Sequence, residues 1–138
     1  MKLASFWKNL PGLWEFERII SSNPTQRGFL NIEKEKDNFY TVHEKGVYNN
    51  NETQTFFRDY HFYWQNNCLN IYGKNPKDGY VLLHSLSDTM KTHTHFCNND
   101  QYQLELTATG LNAWSTITII TGPHKNMSLE TCYQRRTC

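Results

Sequence analysis

One short segment of the chain concentrates side chains that can bind metals or transfer protons. Residues 91–102 read KTHTHFCNNDQY and contain two histidines, a cysteine, an aspartate and a tyrosine. Histidine, cysteine and aspartate are common zinc ligands, and a cysteine beside a histidine can form an activated thiolate. Histidine and tyrosine also act as general acids and bases. The segment therefore suggests a metal site, a nucleophilic thiol, or polar groups inside a binding cavity.

The metal interpretation has two histidines but lacks a second pair of ligands. His93 and His95 are spaced so that a β-strand points both imidazoles to one side. Structural zinc sites usually take two ligand pairs from separate segments, and His84 completes a site only if its strand lies alongside. Haem held by one inward histidine, His84 or His95, is a further alternative, but the CxxCH attachment motif is missing. We therefore predict neither a metal nor another cofactor.

Catalysis is the other chemical alternative. Cys97 paired with His84 or His95 would be an activated thiolate. On one strand, however, the side chains of His95 and Cys97 are about 7 Å apart, which is too far for a direct hydrogen bond. General acid–base chemistry by His84, Tyr102 or Glu44 inside a cavity requires no such contact. A cavity enzyme of isomerase, cyclase or hydrolase type is therefore an alternative function.

Strands must position these side chains, because apolar and polar residues alternate along most of the chain. A short helix over residues 4–10 is the exception, with Ser5 as its cap. Ten strands are predicted, at residues 13–20, 28–34, 38–48, 55–64, 68–73, 80–87, 90–97, 101–108, 113–121 and 127–136. Tight turns join them. The pattern predicts an all-β fold, a single antiparallel up-and-down β-barrel of about 8–10 strands in one domain, residues 1–138.

Alternation also assigns one face of each strand to the barrel interior, and several polar residues fall on that face. They are Arg18, Arg58, His84 and Tyr102, joined by Glu44. On the sixth strand the inward set is Tyr80, Leu82, His84 and Leu86. Arginine is rarely buried without a partner. Two inward arginines therefore imply internal carboxylate partners or a wet cavity that holds an anion.

The start of the first strand resembles a known barrel superfamily. The segment LPGLW (10–14) is similar to the Gly-x-Trp opening of calycins, which comprise lipocalins and intracellular fatty-acid-binding proteins. In those barrels the Trp closes the base and a late arginine packs across it. The resemblance implies that role for Arg135 or Arg136.

A longer run of motifs resembles an uncharacterised bacterial family of about this length. The similarity spans residues 10–135 and consists of Gly12-x-Trp14 with Arg18, Glu44-x-Gly46, Arg58-x-Tyr60, Leu83-His84-x-Leu86, His95-x-Cys97-x-x-Asp100-x-Tyr102, Gly122-Pro123-x-Lys125 and Tyr133. It implies a calycin-like barrel and no particular activity. We interpret Gly122-Pro123-x-Lys125 as a hairpin turn with a solvated lysine. Attraction of an anionic ligand by Lys125 is the alternative if the turn rims a cavity.

A cavity lined by aromatic rings and a few convergent polar groups is typical of a small-molecule site. We predict binding of a small anionic or amphipathic organic ligand, with the arginines on its carboxylate or phosphate. The predicted ligand-binding residues are Arg18, Glu44, Arg58, Tyr60, His84, His95, Tyr102 and Tyr133. An internal salt bridge without a ligand is the alternative for the arginines. A protein-interaction module, the third class, predicts an exposed aromatic patch at Phe57, Tyr63 and Tyr72.

Composition narrows the partners and the compartment. Lys and Arg number 14 against 13 Asp and Glu, and this near-neutral balance argues against nucleic acid. The sequence shows no signal peptide and no stretch of transmembrane length, so the expected location is cytoplasmic. The four cysteines lack CxxC spacing and are expected to be reduced, with Cys138 exposed. The oligomeric state is not predicted.

Overall fold

The computed structural model of the protein describes residues 1–21, 25–123 and 125–136. Its elements are α1 (Leu3–Asn9), β1 (Gly12–Ile20), β2 (Gln26–Lys36), β3 (Phe39–Tyr48), β4 (Asn51–Gln65), β5 (Cys68–Asn75), β6 (Gly79–Leu86), β7 (Thr92–Cys97), β8 (Asp100–Ala108), β9 (Ala113–Thr121) and β10 (Asn126–Arg135). The ten predicted strands and the short helix are confirmed, with ends moved by a few residues. No helix within these ranges is long and apolar enough to cross a membrane. The exposure expected for Cys138 falls outside them.

The strands form one antiparallel sheet in the order β6-β5-β4-β3-β2-β1-β10-β9-β8-β7. Pairing of β1 with β10 wraps this sheet into an up-and-down barrel, as predicted. Three of its hairpins turn on pairs of asparagines at positive φ, between 51° and 73°: Asn49-Asn50, Asn66-Asn67 and Asn98-Asn99. Left-handed backbone at both central positions matches the twist of a two-residue hairpin, and asparagine tolerates that conformation.

The inward positions predicted for Arg18 on β1, Glu44 on β3, Arg58 on β4 and Tyr102 on β8 are confirmed, because all four side chains line the barrel interior. β6 differs, since its register against β5 shifts at Leu83. Leu83 faces the interior together with His84. The prediction that Tyr80 and Leu82 point inward is wrong: Leu82 is exposed, and Tyr80 stacks on His61 at 3.4 Å. A bulge of one residue reverses the faces of the strand beyond it.

Helix α1 covers one end of the barrel, which we call the base. Its buried Trp7 stacks on Tyr40, with 3.7 Å between ring centroids. The amide of Leu3 donates to Asp88 Oδ1 at 2.8 Å, so a residue from the β6–β7 connection satisfies the first turn of the helix. The prediction that Ser5 caps the helix is wrong, because Ser5 lies inside it.

Trp14 completes the base beneath the first strand. Its Nε1 donates to Leu10 O at 2.9 Å, and the Arg135 guanidinium lies 4.3 Å from the ring centroid. The role that the calycin resemblance implies is therefore confirmed for Arg135. Arg136 instead lies outside the barrel, where it pairs with Glu15 at 3.1 Å.

Candidate functional site

The barrel contains a cavity of about 560 Å³ that extends from α1 toward the opposite end, which we call the mouth. Its lower part is apolar and is lined by Phe6, Phe62, Leu69, Leu104, Leu106 and Trp114. Its upper part carries the polar groups Arg18, Gln26, Glu44, Arg58, Tyr60, His84, Tyr102, Lys125, Thr131 and Tyr133. Seven of the eight predicted ligand-binding residues line this cavity. The exception is His95.

Arg18 is buried in the cavity wall, and each of its guanidinium nitrogens has a partner. Nε donates to Thr131 Oγ1 at 2.8 Å, Nη1 to Gln26 Oε1 at 2.8 Å and Nη2 to Glu44 Oε1 at 2.5 Å. Burial acts to lower the pKa of Arg18, but Tyr133 and Glu44 outweigh it and raise that pKa above its ordinary value. Arg18 is therefore charged and fully engaged, as in the internal salt bridge considered above.

Glu44 stands between two arginines. Its Oε1 accepts from Arg18, whereas its buried Oε2 accepts no hydrogen bond from the described chain and lies 3.5 Å from Arg58 Nη1. The Arg58 side chain is 41% exposed and lies 5.1 Å from the Phe56 ring centroid. Two guanidinium groups facing one carboxylate leave one positive charge in excess. That excess belongs to Arg58, since Arg18 already neutralises Glu44.

Two tyrosines flank this network. Burial, with a contribution from Glu44, raises the pKa of Tyr60 above its ordinary value. Burial also raises the pKa of Tyr133, whose ring stacks on Trp114 at 3.8 Å. Both hydroxyls are therefore protonated at neutral pH and able to donate. Tyr60 lies two residues from Arg58 on the same inward face of β4, so these two donors point into one region of the cavity.

Histidines form a second polar cluster on the opposite wall. His84 Nδ1 lies 3.1 Å from His93 Nδ1, and the His95 ring centroid lies 6.2 Å from that of His84. His95 faces Tyr102 across the β7–β8 ladder, as expected for cross-strand neighbours. Burial first, and then repulsion from His93 and His95, lowers the pKa of His84 to about 4. The imidazole of His84 is therefore neutral at pH 7.

Two other reactive side chains of the KTHTHFCNNDQY segment, Cys97 and Asp100, do not join this cluster. Cys97 is exposed at the mouth, and Asp100 is buried against Gly122 of the neighbouring hairpin, with no partner for its Oδ1 among the described residues. Nowhere in the described ranges do three or more His, Cys, Asp or Glu side chains lie in a group that could hold a metal ion. Lys125 does line the cavity, and its Nζ donates to Tyr102 Oη at 3.2 Å. Lys125 is exposed, as expected for a solvated turn residue, and it also lies at the rim of the cavity, which is the condition for the alternative of attracting an anionic ligand.

The outer wall carries the aromatic residues named for a protein-interaction module. Phe57 is 71% exposed. Tyr63 stacks on Phe39 at 4.6 Å and meets Tyr72 edge-on at 5.3 Å. Much of the ring surface of Tyr63 is therefore used within the chain.

Sequence reasoning missed three residues that shape the site. Gln26 and Thr131 hold Arg18 in place, and His93 contacts His84. Gln26 was hidden because its strand was predicted to begin two residues later. Thr131 lies on a correctly predicted strand two residues from Tyr133, and this alternation is the signal that locates it on the same inward face. His93 was considered only as a metal ligand, and its contact with His84 depends on how the two end strands of the sheet meet.

The sequence matches the model of one protein family, described as a family of unknown function (DUF6314), over residues 10–135. The predicted resemblance to an uncharacterised family is thereby confirmed, while a bacterial origin stays a prediction. No curated protein matches the sequence.

Several solved structures share the fold. The S-type phycobiliprotein lyase CPES from Guillardia theta has a TM-score of 0.65 at 8% identity, covering 100% of this chain and 94% of that chain. The redesigned β-barrel mFAP1, bound to DFHBI, has a TM-score of 0.58 at 12% identity, with 94% and 97% covered. The redesigned barrel b11L5F_LGL has a TM-score of 0.59 at 12% identity, with 95% of each chain covered. At such identities the likeness shows the barrel fold alone.

Proposed function

This chain belongs to the DUF6314 family, and we propose that it binds a small amphipathic organic anion inside its barrel. The observation that carries the proposal is the state of Arg58 at the cavity wall. Its nearest carboxylate, Glu44, is already paired with Arg18, and the contact between Arg58 Nη1 and Glu44 Oε2 is 3.5 Å long. A guanidinium with unused donors in a partly desolvated site favours a carboxylate or phosphate, which it can hold through two parallel hydrogen bonds.

The other groups complete a site that is polar at the mouth and apolar toward the base. Tyr60 supplies a donor beside Arg58, and Lys125 and Tyr102 supply a second polar position at the mouth. The apolar lower part above α1 suits a hydrocarbon or aromatic body. A volume of about 560 Å³ lies within the range of ordinary small-molecule pockets. The ligand is therefore proposed to lie with its anionic group at Arg58 and its apolar part toward α1.

The proposal also covers the domain that contains this site and its location in the cell. Residues 1–138 are proposed to be one calycin-like binding domain. A redesigned barrel of the same fold is bound to DFHBI, which supports the use of such a barrel for a small molecule. A cytoplasmic location is supported by Cys68, Cys97 and Cys132, which are unpaired free thiols.

Titration with 8-anilinonaphthalene-1-sulfonate, an amphipathic anion that fluoresces in apolar surroundings, tests the proposal. The wild-type protein should bind the dye, and Arg58→Met should weaken binding by about 10–100-fold, the range for one charge-assisted hydrogen bond. Leu104→Trp, which fills the apolar part of the cavity, should also weaken binding. Arg27→Met is the matched control, because Arg27 is exposed and bonded to Asn50 outside the cavity. Equal affinity in all four proteins would place the dye outside the barrel and refute the proposal.

A further inference from the structure

The backbone of the barrel wall is interrupted in one place. β6 and β7 are the two end strands of the sheet, and no backbone ladder joins them, although every residue of both strands is described. In a fully closed barrel each strand has a ladder on both sides. Between β6 and β7 side chains complete the wall. We call this line of contact the seam.

Three histidines occupy the seam, His84 from β6 and His93 and His95 from β7. The Nδ1 atoms of His84 and His93 are 3.1 Å apart, and their ring planes are at 89°. His84 is only 7% exposed and lines the cavity, whereas no residue of β7 lines it. The His84 ring therefore stands between the cavity and the histidines of β7, and it closes the seam from inside.

The contact between His84 and His93 depends on protonation. A neutral imidazole has one donor and one acceptor nitrogen, so a hydrogen bond between two Nδ1 atoms needs at least one neutral ring. Once both rings are protonated, both Nδ1 atoms are donors and the two charges repel. Burial lowers the pKa of both rings, and repulsion from neighbouring histidines lowers it further, while a hydrogen bond to the His93 backbone offsets only part of this for His84. Both rings are therefore neutral at pH 7 and take up protons only in acid.

The surrounding elements supply no opposite charge to the seam histidines. β5 presents Ile71, and β8 presents Tyr102, whose hydroxyl meets the cationic Lys125. Asp100, on β8 nearer the mouth, forms no hydrogen bond or ion pair with the three rings. Two strands along the wall from β6, β4 presents the positive Arg58 to the cavity. Protonation of the seam is therefore uncompensated within the part of the chain that the structure describes.

We propose that the seam is a lateral gate of the cavity, closed by neutral histidines and opened when acid protonates both His84 and His93. Since no ladder joins the two strands, β6 can separate from β7 without loss of backbone hydrogen bonds between them. Once separated, each strand has lost its packing at the seam and is held by one ladder only, β6 by β5 and β7 by β8, so its amides open to exchange more often. The side-chain contact then sets whether the wall is open. The gate itself requires no ligand; only the release of a bound anion through it rests on the proposed function.

Hydrogen exchange measured by mass spectrometry tests the gate without any ligand. Protection factors, corrected for intrinsic rates, are compared between about pH 7 and about pH 4. In the wild-type protein, peptides from residues 79–97 should lose about ten-fold or more in protection, while peptides from residues 12–20 should change little. His93→Gln cannot form the doubly protonated pair and should lose less than about two-fold. His43→Gln is the matched control, since His43 lies on the outer wall against Asp59, and it should behave like wild type.

The proposal is overturned if residues 79–97 keep their protection in acid, if residues 12–20 lose it equally, or if His93→Gln opens as far as wild type. Should His93→Gln fail to fold, His84→Gln removes the same pair from the other strand and carries the same expectation. Acid-accelerated release of 8-anilinonaphthalene-1-sulfonate from wild type but not from His93→Gln supports passage of an anion through the gate. If the dye does not bind while the exchange result holds, the proposed function fails and the gate stands.

Discussion

Replacing Arg18 by methionine should lower the free energy of unfolding by about 3–5 kcal/mol, the usual cost of removing one partner of a buried ion pair. Arg18 is 5% exposed and Glu44 is 2% exposed, so neither has water to replace a lost partner. The substitution removes the bond to Glu44 and the bonds to Thr131 and Gln26. Glu44 is then left with Arg58 at 3.5 Å. Urea unfolding followed by tryptophan fluorescence measures the loss.

Two companion variants make this prediction specific. Arg58→Met should cost about 1 kcal/mol or less, because the Arg58 side chain is half-exposed and Glu44 keeps its bond to Arg18. The double variant Arg18→Met/Glu44→Leu should recover most of the loss, since a buried ion pair replaced by apolar residues of similar size is often neutral. Equal losses for Arg18→Met and Arg58→Met, or a double variant no more stable than Arg18→Met, would refute the division between a structural and a ligand-facing arginine.

Three further substitutions probe the base, the strand packing and the histidine cluster. Trp7→Ala should cost about 3–5 kcal/mol in urea unfolding by removing a buried indole from the base, and a loss below about 1 kcal/mol would contradict this role. Gly46→Val should lower the free energy of unfolding by about 2 kcal/mol or more, because a Cβ at this position would lie 2.6 Å from Phe56 Cζ and 2.7 Å from a backbone oxygen. Unchanged thermal stability would show that the neighbouring strands move apart to accommodate the side chain. The pKa of His84, about 4, lies below the unfolded value of about 6.5, so the unfolded chain takes up the proton first and stability falls as pH drops between these values. Unfolding at a series of pH values should show a loss of about 2–3 kcal/mol in wild type and a smaller one in His84→Gln, and parallel curves would argue against a neutral buried imidazole.

The fold was readable from the sequence because period-two alternation and asparagine turns repeat along the whole chain. The inward positions of Arg18, Glu44 and Arg58 follow from the same alternation. The different roles of Arg18 and Arg58 do not follow from alternation. The sequence cannot show that Gln26 and Thr131 accept hydrogen bonds from Arg18, whereas Arg58 has only a long contact to Glu44. That difference lies between contacts of 2.5–2.8 Å for Arg18 and 3.5 Å for Arg58, made by side chains from separate strands.

Two local errors have simple physical causes. The bulge at Leu83 cannot be recognised from the sequence, because in the apolar run YVLLHSL either register places hydrophobic side chains inside the barrel. The helix cap comes from Asp88, which is distant in sequence and cannot be found from local capping rules. The 91–102 segment likewise suggested a single cluster, but strand geometry sends Cys97 to the mouth and directs His93 and His95 toward a histidine on another strand.

Native mass spectrometry of the protein purified from the cells in which it occurs tests cavity binding most directly. Wild type and Arg58→Met should be isolated in parallel, after urea unfolding has shown that both are folded. We predict that the wild-type protein carries a non-covalently bound small organic molecule, seen as an increase in mass. Arg58→Met should be observed mainly at the mass of the protein alone. Bare mass for both proteins, or the same adduct at equal occupancy on both, would contradict the assignment of Arg58 as the anchor of a bound anion.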